Sequence, residues 1–188
     1  LRISIGMITP HLDAGFSGGC KMILPGVCSL ATVDAFHRAS AFVTANQLGD
    51  PDAPLRLLLE RFVADHAPLD FIVNAVIAPA GALAGCVAGH PVAAHRVGTA
   101  LARRVFGAPQ PRRHPIVVAD CAPYDQDLWQ SIKGAWAGDL LTREGGWLIL
   151  HAAMPEGTGG YDLVPGYAGC DPSALREAIL AGTVEDAM

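Results

Sequence analysis

Charge is scarce in this sequence, and the little that is present carries a small negative excess. Charged residues make up 16% of the 188 residues, hydrophobic residues make up 51%, and the formal net charge is −5 at pH 7. This balance argues against a disordered chain and favours a well-buried core. The lysines and arginines are scattered, which excludes a broad basic face, so we predict no nucleic-acid partner.

The five cysteines form no Cys-x-x-Cys pair, and their number is odd. A disulfide framework and a zinc ribbon are therefore both disfavoured, and a reducing compartment, the cytoplasm, is the expected location. Cys20 stands beside Lys21. It is either a reactive thiol or a small apolar space-filler.

One long apolar stretch, residues 69–89, has the length of a membrane span. It holds a single charge, at Asp70, but it also contains Asn74, Pro79 and a turn-rich centre. Two buried strands joined by a turn therefore fit this stretch better, and no membrane partner is expected.

Strand-like and helix-like segments alternate along the chain. The order strand, helix, strand over residues 115–153 is typical of a βαβ unit with a parallel sheet. We therefore predict an α/β fold, a mixed sheet with parallel βαβ units flanked by helices, in a single domain over residues 1–188. Both ends look cut, so we expect a fragment of a two-domain protein that lacks its N-terminal domain. Helices are predicted at residues 32–45 (with Thr32 as N-cap), 54–67, 90–107, 125–141 and 171–182.

The stretch from His11 to Lys21 has the composition of a binding site. Its glycines at positions 15, 18 and 19 let the backbone bend sharply and approach a ligand, and such a turn can hold an anion. The spacing matches neither a Walker loop nor a dinucleotide fingerprint. Lys21 has apolar or small neighbours, so it is either a partly desolvated amine that attaches substrate or cofactor covalently or a surface lysine.

Two histidines accompany this lysine. His11 follows a predicted buried strand, where it is either a general base near neutral pH or a loop histidine. His37 lies on the predicted helix 32–45 and is either a metal ligand or a surface histidine. Its neighbours do not supply a full set of metal ligands, so a metal at His37 would need its other ligands from a non-protein group.

These residues carry a family resemblance. The segment PHLDAGFSGGCKMILPG, followed by ATVDAFH, resembles the signature of the nickel-pincer lactate racemase family, a group of 2-hydroxyacid racemases and epimerases. The spacing of 10 residues from His11 to Lys21, and of 16 from Lys21 to His37, matches the family pattern. Because AGHPVAAHRVG, DQDLWQSIKGA and HAAMPEGTGG resemble further family segments, the resemblance covers most of the chain. It corresponds to the central and C-terminal part of a longer protein.

The resemblance implies a cofactor and a reaction. Lys21 would carry a pyridinium-type thioamide/thiocarboxylate mononucleotide, the nickel-pincer nucleotide, which dedicated cofactor-maturation enzymes make. Nickel would be held by two sulfurs and a ring carbon of this cofactor, with His37 as the fourth ligand of a square-planar set. His11 would be one of two histidines that exchange the hydroxyl proton of a 2-hydroxy acid while the Cα hydride moves to the cofactor and back.

A second group of residues would bind the substrate. Gln130 and Lys133 lie three residues apart and share a helix face, where they either bind the substrate carboxylate or form a solvated surface. Trp129 stands where lactate-racemising members carry tyrosine, so the acid need not be lactate. His90 stands where the family often has aspartate.

Two other hypotheses remain beside the racemase. The same pocket suits an enzyme that forms a Schiff base on Lys21, or a non-catalytic module that binds small acids. The resemblance places the second catalytic histidine in the N-terminal domain. We therefore expect the active site in a cleft against that domain, and an inactive isolated fragment.

Overall fold

The structure is a computed structural model that describes residues 1–79, 81–159, 167 and 169–184. The chain divides into two units, residues 1–108 and 109–188. Each unit is described by itself below. The prediction of a single domain that lacks an N-terminal partner stays a prediction.

The first unit is built on a three-stranded sheet. Strand β1 (Ile3–Met7) runs parallel to β4 (Phe71–Ile77), and β4 runs antiparallel to β5 (Leu83–Gly89), so β4 is the central strand. The apolar stretch 69–89 therefore forms two strands, as predicted, with Ala80 of its turn outside the described residues. Across the described part of the chain, no helix has the length and apolarity that crossing a membrane requires.

A short β-hairpin, with two residues in each strand, follows the end of β1 and contains the first part of the glycine-rich stretch. Its strands β2 (Pro10–His11) and β3 (Gly15–Phe16) pair antiparallel, and a short 3₁₀ helix (Gly19–Met22) follows. Residues from the strand end, the hairpin and the 3₁₀ helix therefore lie within a short span of backbone at one end of the sheet.

Three helices complete the first unit: α1 (Leu30–Ala39), α2 (Pro54–His66) and α3 (Ala93–Phe106). Two apolar cores hold these elements together. The larger packs the 3₁₀ helix, α1 and α2, and its buried members are Ala14, Cys20, Leu24, Phe36, Leu55, Leu59 and Val63. The smaller packs the hairpin and the sheet against α3 through Ile8, Phe16, Val76 and Ala102.

The first helix differs from its predicted limits at both ends. Ser29, not Thr32, is the N-cap, because its hydroxyl accepts a hydrogen bond from the Thr32 N–H at 3.4 Å. The helix ends at Ala39 rather than continuing to residue 45. The Ser40 hydroxyl donates to the His37 carbonyl at 2.6 Å and so takes an acceptor that the next helical turn would use.

The second unit contains the predicted βαβ arrangement. Strand β6 (His114–Asp120) runs parallel to β7 (Thr142–His151), and α4 (Leu128–Leu141) connects them. Asp127 caps α4 by accepting the Gln130 N–H at 2.6 Å. A last helix, α5 (Pro172–Ala181), begins after the N-cap Asp171. The predicted fold class, a mixed α/β structure with parallel strands flanked by helices, is confirmed.

Candidate active site

The loop between His11 and Lys21 has a backbone that only glycine allows at three positions. Gly15, Gly18 and Gly19 have φ angles of 69°, 75° and 57°, in the left-handed region. A Cβ atom at Gly18 would lie 2.8 Å from the Met7 carbonyl oxygen, and one at Gly19 would lie 2.9 Å from a ring carbon of His95. These glycines are therefore required by both the turn and the close packing around it.

Three buried polar side chains bind the backbone of this loop, and the sequence analysis assigned a role to none of them. Asn74 on β4 accepts the Gly19 N–H at 2.8 Å. His95 on α3 lies with its Nε2 at 2.8 Å from the Ser17 carbonyl oxygen. Arg56 on α2 donates to three further carbonyl groups. The loop is thus held in one conformation by elements far from it in sequence.

Lys21 lies in the 3₁₀ helix and is half-buried. Burial lowers the pKa of its amine, the positive charge of Arg56 lowers that pKa further, and Asp13 opposes the shift. A lowered pKa increases the fraction of neutral amine, which is the nucleophilic form. The environment of Lys21 therefore favours the reactive amine over the plain surface lysine.

Asp13 is a site residue that the sequence analysis missed. Burial raises the pKa of its carboxyl group, while the charges of His37 and Lys21 both lower it. One carboxylate thus interacts with the candidate metal ligand and with the candidate attachment lysine. The only signal in the sequence was its place between His11 and Lys21.

The His11 ring is oriented by the backbone that follows it. Its Nδ1 accepts the N–H groups of Asp13 at 3.2 Å and of Ala14 at 3.3 Å. With Nδ1 used as an acceptor, the proton of the neutral ring lies on Nε2. In this state, His11 presents a hydrogen-bond donor at Nε2. To take up a proton there, the ring must first move its own proton to Nδ1, which releases both backbone contacts.

His37 lies near the end of α1, half-buried, with its ring 5.9 Å from the Phe36 ring. Among the described residues, no group of three or more His, Cys, Asp or Glu side chains could hold a metal ion. Cys20 is buried beside the site, and burial raises the pKa of its thiol to about 11. Its thiol therefore stays protonated near neutral pH, which favours the space-filling interpretation.

The candidate substrate residues lie in the second unit, on helix α4. The Lys133 ammonium donates to the Gln130 side-chain oxygen at 2.6 Å and lies 4.2 Å from the centre of the Tyr124 ring. Burial lowers the pKa of Lys133, and Asp127 opposes the shift. Trp129 is half-exposed on the same helix. The predicted pairing of Gln130 with Lys133 is therefore present, and Tyr124 joins it as a residue that the sequence analysis missed.

His90 binds the backbone just before α3. Its Nδ1 accepts the N–H groups of Val92 at 3.3 Å and of Ala93 at 3.4 Å. An aspartate carboxylate at this position offers the same acceptor to the start of the helix. His90 thus binds the turn that leads into α3, whose N-cap residue, Val92, has no side-chain cap.

Comparisons with known proteins identify relatives of the chain. Residues 1–49 match the family described as "Lactate racemase N-terminal domain". Two curated proteins named lactate racemase are each 32% identical to it: one from Lactiplantibacillus plantarum over 174 residues, and one from Thermoanaerobacterium thermosaccharolyticum over 168 residues. Each match covers 85% of this chain and 38% of the relative. The chain thus spans less than half the length of the curated relatives that it matches.

Solved structures are also similar to this chain, again over less than half of their own length. The lactate racemase apoprotein from Thermoanaerobacterium thermosaccharolyticum matches 96% of this chain, and 44% of its own chain, with a TM-score of 0.85 and 31% identity. A crystal structure of a Thermotoga maritima protein matches 78% of this chain and 38% of its own, with a TM-score of 0.58 and 25% identity. These similarities confirm the resemblance that the motifs indicate. Residues 1–49 are similar to part of the very domain that the sequence analysis expected to be missing.

Proposed function

We propose that this chain, a relative of the lactate racemases, is the part of a racemase or epimerase that binds the cofactor and the carboxylate of a 2-hydroxy acid. One observation carries the proposal. Lys21 is a half-buried amine of lowered pKa, in a loop held by buried side chains, and a single carboxylate links it electrostatically to His37. Such an arrangement suits a covalently attached, metal-bearing group.

The residues present fit the nickel-pincer nucleotide. Lys21 offers a nucleophilic amine for the covalent link, and His37 offers an imidazole donor to nickel. Asp13 lies close enough to both residues for its charge to act on each. When bound, this group supplies a reversible acceptor for the Cα hydride of the substrate.

His11 exchanges the proton of the substrate hydroxyl group. The resting ring carries its proton on Nε2, as fixed by the Asp13 and Ala14 N–H groups, and donates a hydrogen bond to the hydroxyl or keto oxygen. To accept the hydroxyl proton at Nε2, the ring must carry its own proton on Nδ1 and release these contacts; the imidazolium that forms then returns a proton from Nε2 to the keto oxygen. His11 thus has a resting state with these backbone contacts and a reacting state without them.

Gln130 and Lys133 bind the carboxylate. The ammonium of Lys133 supplies the charge, and the Gln130 amide, already bonded to that ammonium, keeps it in place and supplies a further donor. The Tyr124 ring lies against the ammonium, Trp129 lies on the same helix as Lys133, and both aromatic rings are half-exposed. A substrate with an apolar group larger than a methyl at its α-carbon suits this surface.

The test is an intact mass and a metal analysis of the full-length protein, produced together with the cofactor-maturation enzymes. A nucleotide-sized adduct on Lys21, with nickel bound in proportion, supports the proposal. The Lys21→Ala variant should lose the adduct and the racemisation of 2-hydroxy acids together. A folded protein with an unmodified Lys21 under these conditions would contradict it. We also propose that the 188-residue chain alone is inactive and that the enzyme works in the cytoplasm.

The nucleophilic amine also fits a Schiff-base enzyme, which is the second candidate. Borohydride trapping of a carbonyl substrate on Lys21, without dependence on nickel, would favour that chemistry. A module that only binds small acids would keep its binding in the Lys21→Ala variant, whereas both enzymes would lose their activity.

A further inference from the structure

The guanidinium group of Arg56 lies inside the loop that leads to Lys21. The side chain is fully buried. Its Nε donates to the Ala14 carbonyl at 3.3 Å, its Nη1 donates to the Gly18 carbonyl at 3.3 Å, and its Nη2 donates to the Phe16 carbonyl. Alternate carbonyl groups of the loop therefore point at one planar cation, whose fork of donors fixes their directions.

The Gly18 carbonyl links this cation directly to Lys21. It accepts a hydrogen bond from Arg56 and another from the backbone N–H of Lys21 at 3.2 Å. His95 binds the intervening Ser17 carbonyl from the other side. The start of the 3₁₀ helix that carries Lys21 is thus set by the position of Arg56.

A balanced group of charges keeps the buried cation in place. Glu60 lies 3.9 Å from Arg56 and binds Arg96 through both of its carboxylate oxygens, at 2.8 and 3.0 Å. Arg96 also binds Asp52 at 3.1 Å. Burial lowers the pKa of Arg56 to about 10, so the group remains charged near neutral pH.

A buried cation is a costly way to fill space. Well-packed apolar residues of similar volume often give equal or greater stability, so burial of an ionic group is weak support for a purely stabilising role. The planar donors of Arg56, in contrast, impose directions on three carbonyl groups at once. Fixed carbonyl directions are what a loop needs when its side chains must be placed accurately.

We infer that Arg56 is a positioning residue: its guanidinium fork fixes the backbone of residues 14–18 and thereby places the Lys21 amine. The inference rests on the proposed function, in which Lys21 carries the cofactor. Arg56 acts on Lys21 through the loop, because its donors bind loop carbonyl groups. The charged groups that act on the Lys21 amine are Arg56 and Asp13.

The first test compares Arg56→Lys with the matched control Arg61→Lys in the full chain. Both arginines lie on α2, but Arg61 is exposed and pairs only with Asp65, at 2.6 Å, among the contacts described. Arg56→Lys keeps the charge and loses the fork, so the amides of residues 17–21 should exchange with deuterium about tenfold faster or more. Exchange within β6 and β7 should not change. The control should match the unaltered chain throughout.

The second test uses the pH profile of amine acylation, which a merely structural role would not move. Lys21 and Lys133 are the only lysines in the sequence, so peptide mass mapping with acetic anhydride separates them cleanly. Arg56→Gln removes a positive charge beside Lys21, so the midpoint of Lys21 acylation should move to higher pH. Arg56→Lys keeps that charge but loses the fork, so its midpoint should also move to higher pH, because a displaced Lys21 amine is less buried. Lys133 serves as the internal reference in every variant.

Each outcome decides the inference. Unchanged loop exchange in a folded Arg56→Lys variant, or an unmoved Lys21 midpoint in that variant, overturns it. If the Arg56 variants do not fold, Glu60→Gln replaces them, because it removes the carboxylate that lies 3.9 Å from Arg56 and keeps the guanidinium in place. Faster loop exchange in Glu60→Gln than in the control Arg61→Lys then supports the positioning role. Equal exchange in these two variants, or a failure of Glu60→Gln to fold, overturns it.

These measurements use protein without cofactor, so they separate the two proposals. An unaltered chain that never acquires an adduct on Lys21 contradicts the proposed function. The exchange and acylation results would still test whether Arg56 positions the Lys21 amine. Where the adduct does form, Arg56→Lys should load a smaller fraction of chains than Arg61→Lys.

Discussion

The buried His95 makes the stability of the first unit depend on pH. The ring is fully buried, and burial together with the charge of Arg56 lowers its pKa from 6.5 to about 3. Between these two pH values, the unfolded chain binds one proton more than the folded chain. Stability therefore rises with pH in this window and is lost as the pH falls.

The size of the effect follows from the two pKa values. Lowering the pH from 7 to 5 should cost about 2 kcal/mol of the free energy of unfolding through His95 alone. Carboxyl groups also titrate in acid, so the effect must be isolated. The His95→Gln variant keeps a donor near the Ser17 carbonyl but does not titrate, and its stability should therefore lack this component.

The assay must report on the first unit alone. All three tryptophans lie in residues 109–188, so tryptophan fluorescence follows the second unit only. Cys20 is buried in the first unit and Cys121 in the second. Pulsed labelling of both thiols along a urea gradient, with a dipyridyl disulfide that reacts in mild acid, gives an unfolding midpoint for each unit.

The expected result is a difference between two proteins, the unaltered chain and His95→Gln, in how much their free energy of unfolding changes with pH. The free energy of unfolding at Cys20 should fall by about 2 kcal/mol more in the unaltered chain than in His95→Gln between pH 7 and pH 5. The values at Cys121 should change equally in the two proteins. An equal pH dependence at Cys20 would refute the reasoning, because His95 would then titrate in the folded state as it does in the unfolded one.

Three further results are expected. Gly19→Ala should destabilise the first unit by about 2 kcal/mol or more, because the added methyl group meets a buried ring. Gly49→Ala, with a similar positive φ but open space around it, should cost only about 1 kcal/mol in the same thiol assay. Asp13→Asn removes a charge that raises the pKa of Lys21, so the midpoint of Lys21 acylation should move to lower pH; a rise would contradict the placement of Asp13. In the cofactor-loaded full-length enzyme, Lys133→Met should lower kcat/KM by about 100-fold, mainly through KM, and unchanged kinetics would remove it from the site.

The elements of the fold could be predicted because their signals are local. Apolar strands and amphipathic helices have sequence patterns that can be recognised within a few residues. The βαβ order of β6, α4 and β7 implies parallel pairing of the two strands. The first helix was placed less well. Its cap depends on which of two nearby hydroxyl groups, Ser29 or Thr32, accepts the N–H, and composition alone does not decide that.

The site could be predicted only where its residues are neighbours in sequence. His11 and Lys21 stand in one motif, but the side chains that hold the loop between them come from α2, β4 and α3. These contacts join residues that are 38 to 78 positions apart, so no short motif in the sequence indicates them. One signal was available for His95, since it shares a helix face with the small residues Gly98, Thr99 and Ala102, and that face is buried.

The wide spacing of these contacts has a consequence for the order in which the protein is made. Translation reaches Lys21 first, but the loop around it has all its partners only once His95 has been added, 74 residues later. At ordinary rates of synthesis, this interval lasts roughly 4 to 15 s. A ribosome that stops between these two positions therefore leaves a chain that carries the lysine without the surroundings that make it reactive.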